Sequence, residues 1–160
     1  MEIDAKDLIV IDCEASSLHK HDSYPIEIGV AMDKDSFDCL IKPVAIWHDW
    51  DKKSEAIHGI SQATLFSDGL DIITVVEMLN ERLNGKTLIS DNEAYENMWI
   101  NRLYKAAGYI PSFRIISMYS LDFDFEKFKE KRDELIAYIP LHRALNDAYI
   151  IRECILHAIS

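Results

Sequence analysis

Leu8-Ile9-Val10-Ile11-Asp12-Cys13 narrows the choice of fold more than any other stretch of the chain. An apolar run of this length, rich in β-branched residues, reads as a buried strand. Its polar residues, Asp12 and then Glu14, come at the far end. Side chains alternate along a strand, so Asp12 and Glu14 share one face and Cys13 takes the other. Two carboxylates leaving a buried strand together are costly unless something binds them, and a hard divalent cation does so. The plainer reading is an exposed strand end.

After a polar loop over 15–23 come two more strand-like segments, Tyr24–Met32 and Ser36–Ile41, joined by the turn Asp33-Lys34-Asp35. Three such strands in succession predict an antiparallel meander. Glu27 sits mid-strand between Ile26 and Ile28, facing away from both, and reads as structural. The period then changes. A short helix is expected around Ser54–His58. In Gly69–Asn84, Ile72, Val75, Val76, Leu79 and Leu83 recur at helical spacing, with a stop at Asn84-Gly85. Lys86–Ser90 reads as a strand. Ala94–Ala107 reads as a helix with Met98, Trp99, Leu103 and Ala106 on its apolar face. Phe113–Met118 is a fifth strand, and Leu121–Ile139 a charged helix with a break near Asp133. His142–Ile159 is a final helix beyond Pro140. The order predicts an α/β fold: a mixed five-stranded sheet, three antiparallel meander strands plus two parallel ones, flanked by helices. With 160 residues, 49% hydrophobic and 28% charged, and no linker or repeat, the expectation is one domain spanning 1–160.

Two later segments carry further chemistry. In His142-Arg143-Ala144-Leu145-Asn146-Asp147, a histidine just ahead of a helix and an aspartate in its first turns can reach a common cleft. Asp147 would be a metal ligand. Imidazole is the side chain suited to taking a proton from an attacking water at neutral pH. At the strand-to-helix junction Ser90–Trp99, either Asp91 or Glu96 can add a carboxylate. The competing reading is helix capping by Asp91 or Asn92, with an acid favoured near a helix N-terminus in any case.

Taken together, Asp12-x-Glu14, an acid at a later strand–helix junction, and His142-x4-Asp147 resemble the three motifs of the DEDDh family of 3′–5′ exonucleases, in that family's order. IVIDCEASSL (9–18), YPIEIGVA (24–31), IHGIS (57–61) and HRALNDA (142–148) extend the resemblance over nearly the whole chain. It implies an RNase H-like fold. It also implies two Mg²⁺ or Mn²⁺ ions held by Asp12, Glu14, Asp147 and either Glu96 or Asp91, with His142 as general base. Ala15, Ser16, Ser17 and Leu18 would grip the terminal nucleotide, Leu18 lying against the base. His58, Trp47 and Trp50 would flank the same cleft, although packing is an equal reading for the two tryptophans. Trp99 is expected in the core. Small bacterial and phage exonucleases or exoribonucleases are the subgroup most resembled. The sequence departs from them in the second motif, where Asn92-Glu93-Ala94 replaces Ala-Pro-Glu and Glu96 stands in place of aspartate.

Bulk properties limit the partners. A net charge of −11 argues against a protein that grips long duplex by neutralising phosphates. It is compatible with a nuclease acting on short or single-stranded 3′ ends, RNA or DNA, and releasing nucleoside 5′-monophosphates. Three widely spaced cysteines form neither a disulfide framework nor a zinc site. No apolar run approaches a membrane span, and residues 1–10 lack a signal-peptide pattern, so a cytoplasmic location without membrane contact is expected. Some relatives are homodimers, and nothing in the sequence decides for one. The principal alternative function, motivated by Glu96, is a catalytically impaired, nucleic-acid-binding pseudonuclease of the same fold. An RNase H-like endonuclease, disfavoured by His142-x4-Asp147, and a purely structural α/β protein are the others.

Overall fold

In the computed structural model, which describes residues 1–159, β1 (Val10–Ala15) is the middle strand of a five-stranded sheet ordered β3-β2-β1-β4-β5. β2 (Pro25–Ala31) pairs antiparallel with β1, and β3 (Phe37–Leu40) antiparallel with β2. β4 (Thr87–Ser90) and β5 (Arg114–Ser117) complete the sheet in parallel register. The predicted mixed sheet is therefore the one observed.

Six helices cover it: α1 (Lys52–His58), α2 (Gln62–Asp68), α3 (Ile72–Leu83), α4 (Glu93–Ala107), α5 (Phe125–Ile136) and α6 (Ala144–Ile159). Alternation along β1 sorts its side chains into two cores. Ile11, Cys13 and Ala15 pack with α3 and α4. Val10 points into the core formed with α5 and α6. Asp12 and Glu14 follow Val10 at steps of two, so they leave the strand on the α6 side.

Several element boundaries differ from expectation. α2 has no counterpart in the periodicity, because Gln62–Asp68 shows one buried apolar residue, Leu65, and no apolar stripe. Ser61 caps it through a hydrogen bond from the Thr64 N–H. α5 runs unbroken through Asp133. The chain breaks earlier, at a 3-10 turn over Met118–Ser120, and Asp124 starts the helix by accepting from the Glu126 and Lys127 N–H groups. α6 begins at Ala144, not at His142, whose φ of 66° no helix accommodates. In α4 the buried stripe is Glu96, Trp99, Ile100, Leu103 and Tyr104, and Ala106 is exposed. No helix among the described residues is long and apolar enough to cross a membrane.

Candidate active site

β2 builds the seat for α6. Its residues on the α6 side include Glu27, paired across from Glu14, and Gly29, paired across from Asp12. A Cβ on Gly29 would lie 2.2 Å from the Leu145 backbone nitrogen, so only glycine lets the first turn of α6 rest on the strand. Glu27, 2% exposed, accepts from Arg143 Nε at 3.0 Å, from the same guanidinium at 2.5 Å, and from the Ala144 N–H at 2.9 Å. A buried carboxylate thus satisfies a free N–H at the positive end of α6. The mid-strand glutamate is structural, as expected, and what it structures is the placement of Asp147.

With α6 so placed, one carboxylate oxygen from each of Asp12, Glu14 and Asp147 lies within 4.8 Å of the others. Asp147 also accepts the His142 N–H at 3.1 Å to each oxygen. That bond fixes the bend that holds His142 in its left-handed conformation. The His142 side chain borders both pockets that meet at the carboxylates.

Glu96 approaches from the opposite face of the sheet. Its carboxylate is buried at the ends of β1 and β4, accepting from Ser90 Oγ at 2.8 Å and from the Cys13 N–H at 3.3 Å. It is not among the three acids whose oxygens converge. Asp91 is exposed and lines the pocket with Asp12, His142 and Asp147. Neither Asp91 nor Asn92 caps α4 with a side chain. Ser90 Oγ receives the Asn92 N–H instead.

The acids repel one another. Burial, then Glu96, Glu14, Asp147 and Asp91, raise the Asp12 carboxyl well above the ordinary range. Burial, then Asp147 and Glu27, push Glu14 up to about 8, with Arg143 opposing. Burial pushes Glu96 up to about 7 against the Ser90 hydrogen bond. A carboxyl whose folded pKa is raised contributes stability at low pH, and that contribution is lost as pH rises through the folded value. The metal-free protein is therefore expected to lose stability between about pH 4.5 and 8. Mn²⁺ should raise Tm more at about pH 8 than at about pH 5. Thermal scans in EDTA and in Mn²⁺ at both values check this, and a higher Tm in EDTA at the alkaline value would contradict it.

Beside the carboxylates lies a pocket of about 250 Å³ whose walls include Leu18, Ile57, His58 and Trp99. Leu18 is 67% exposed, and Trp99, buried as expected, is held by its indole N–H to Ser23 Oγ. Ala15 and Ser17 also line the pocket. The hydroxyls of Ser16 and Ser17, however, both donate to Asp49, at 2.7 and 2.6 Å. Asp49 thereby shapes the loop, a role that sequence reading misses because it depends on two distant serines. Trp47 stacks on Tyr24, and Trp50 meets His58 edge-on. His58 accepts the Ile60 N–H at Nδ1. Its buried Nε2 makes no hydrogen bond of ordinary geometry among the described residues, and the Ala15 backbone is the polar group that acts on it. Burial lowers the His58 pKa, so the ring is neutral, with its proton on Nε2.

A mixed sheet of this order, with acids from β1 and α6 gathered where its middle strand ends, defines an RNase H-like nuclease scaffold. The family model described as Exonuclease (RNase_T) matches residues 9–154, and the chain belongs to that family. No curated protein matches the sequence. Among solved structures, E. coli exonuclease I with single-stranded DNA, in a zinc-ion-bound form, is similar at a TM-score of 0.70 and 10% identity, covering 91% of this chain and 38% of that one. E. coli exonuclease I in complex with a dT13 oligonucleotide gives 0.70 and 10%, covering 91% and 39%. A moderately thermophilic exonuclease I from Methylocaldum szegediense gives 0.68 and 11%, covering 91% and 38%. At these identities the likeness is one of fold, and this chain spans less than half the length of those proteins.

Proposed function

We propose that the protein is a metal-dependent 3′–5′ exonuclease that releases nucleoside 5′-monophosphates from single-stranded 3′ ends. The observation that carries this reading is the convergence of Asp12, Glu14 and Asp147 beside a nucleoside-sized pocket. The donor set fits the cofactor: three hard oxygen donors and no thiolate suit Mg²⁺ or Mn²⁺, and the mutual repulsion of the acids is what a divalent cation relieves. Asp12, Glu14 and Asp147 would hold one ion. Asp12 with Asp91 or Glu96 would hold a second: Glu96 is the acid that acts most strongly on Asp12, and Asp91 lines the pocket with Asp12 and Asp147. Such ions supply a water acidic enough to attack at neutral pH, and positive charge for the leaving oxygen.

The chain's own residues do the rest. His142, exposed at the meeting of the two pockets, takes the proton of the attacking water. Leu18 and Ile57, both exposed at the pocket, hold the terminal base by apolar contact, which suits a sequence-tolerant enzyme. The His58 Nε2–H donates to the terminal nucleotide. A pocket of this size takes one nucleoside, so a free chain end must enter it. Because the exonuclease I structures hold single-stranded DNA, that substrate is tested first, with RNA beside it.

A 5′-labelled oligonucleotide is expected to shorten stepwise from its 3′ end in Mn²⁺ and to stay intact in EDTA. A circular single strand should survive. Of Asp91→Asn and Glu96→Gln, the variant that slows the reaction more marks the acid that serves the second ion. Tight binding without shortening would favour a pseudonuclease, the reading that the engaged Glu96 carboxylate supports.

A further inference from the structure

Arg132 lies in the middle of α5 and lines the pocket of about 200 Å³ that also holds Asp12, Asp91, His142 and Asp147. It makes no hydrogen bond and no ion pair with any described residue. The other arginines are all engaged. Arg82 stacks over Phe37, Arg102 and Arg152 bind backbone carbonyls, Arg114 binds Thr87, and Arg143 binds Glu27. The helix offers Arg132 no acid at the positions that face it, since these are Phe128, Lys129, Leu135 and Ile136. Its charge is felt instead by Asp91 and Asp147, outside ion-pair distance.

An arginine placed to neutralise these acids would pair with them. Resting on the exonuclease reading, we propose that Arg132 binds a non-bridging oxygen of the phosphodiester being cut. Two divalent ions match four carboxylates in charge. The substrate phosphate, and the further charge it gains on reaction, are then left for a cation outside the metal shell. A guanidinium delivers two parallel N–H donors to a phosphate, and its strength there exceeds that of a point charge. Arg132 lines the carboxylate pocket and not the nucleoside pocket, so it meets the phosphate and not the base. In this role it touches the reacting group and is a catalytic residue.

The test compares wild type, Arg132→Ala and Arg132→Lys on a single-stranded oligonucleotide and on the p-nitrophenyl ester of thymidine 5′-monophosphate, which carries only the phosphate to be cut. Calorimetric binding of thymidine 5′-monophosphate in Ca²⁺, and of Mn²⁺ alone, accompanies the rates. Arg132→Ala is expected to lower kcat/KM by about 100-fold on both substrates and to weaken the nucleotide about tenfold, with Mn²⁺ binding not weakened. Lysine should restore only part of the loss. Unchanged rates, a loss confined to the oligonucleotide, full rescue by lysine, or weakened Mn²⁺ binding would each overturn the assignment. If wild type cleaves neither substrate, the exonuclease reading fails, and the nucleotide-binding comparison decides the role of Arg132 by itself.

Discussion

Asp12→Asn is expected to lower metal-dependent cleavage of a single-stranded oligonucleotide by at least about 1,000-fold and to leave the metal-free protein as stable as wild type or more so. Asp12 is the acid on which all the others act: Glu96, Glu14, Asp147 and Asp91 each raise its carboxyl, after burial itself. It is also one of the three whose oxygens converge. The amide is nearly isosteric, so packing is preserved while one negative charge leaves the centre of the cluster. Above the ordinary carboxylate range this removes the cost, whether of ionisation or of proton uptake, that the buried Asp12 imposes on wild type in EDTA. Rates in Mn²⁺ and thermal scans in EDTA measure the two halves separately. A variant that keeps more than a tenth of the wild-type rate would remove Asp12 from the metal site. A large fall in Tm would assign it a structural role instead.

Gly29→Ala is expected to cost about 3 kcal/mol or more and to abolish cleavage in whatever fraction folds. The added methyl group meets backbone at 2.2 Å from Leu145 N, 2.3 Å from Ala144 C and 2.6 Å from Leu145 Cα. Backbone cannot rotate aside as a side chain can, so the first turn of α6 must lift from β2. That lift carries Asp147 away from Asp12 and loosens the Glu27 contacts to Arg143 and Ala144. Gly85→Ala is the control. Gly85 has a φ of 71° and nothing within 4 Å of a new Cβ, so its cost is the backbone strain of about 1 kcal/mol, with activity kept. Chemical denaturation ranks the two. Equal costs would mean that α6 does not depend on close approach to β2.

Features written in short-range periodicity are legible in the sequence. Period two along β1 puts Asp12 and Glu14 together, and the apolar spacing of α3 marks out that helix. Glu96 shows where such reading stops. The expected α4 stripe of Met98, Trp99, Leu103 and Ala106 shares Trp99 and Leu103 with the observed one but leaves Glu96 at the margin. The observed stripe runs through Ile100 and Leu103 and turns Glu96 inward, onto Ser90 and Cys13. A buried glutamate is recognised by its partners, and one of them lies 83 residues away in sequence. The same holds for Glu27 with Arg143 and for Asp49 with Ser16 and Ser17. Sequence pattern starts α6 two residues early because the left-handed bend at His142 is enforced by Asp147, through a side-chain hydrogen bond that periodicity does not encode.

The pairing of Glu27 with Arg143 also governs when the carboxylate site can form during synthesis of the chain. These residues are 116 positions apart. The meander of β1 to β3 leaves the ribosome bearing Asp12, Glu14 and Glu27 with no cation opposite them, while the segment that supplies Arg143 and Asp147 is still untranslated. At the usual rate of about 5–20 residues per second, the nascent chain spends several seconds with an incomplete site. Only the docking of α6 joins the two halves. A carboxylate site assembled in this order stays incomplete until the segment carrying Asp147 has been made.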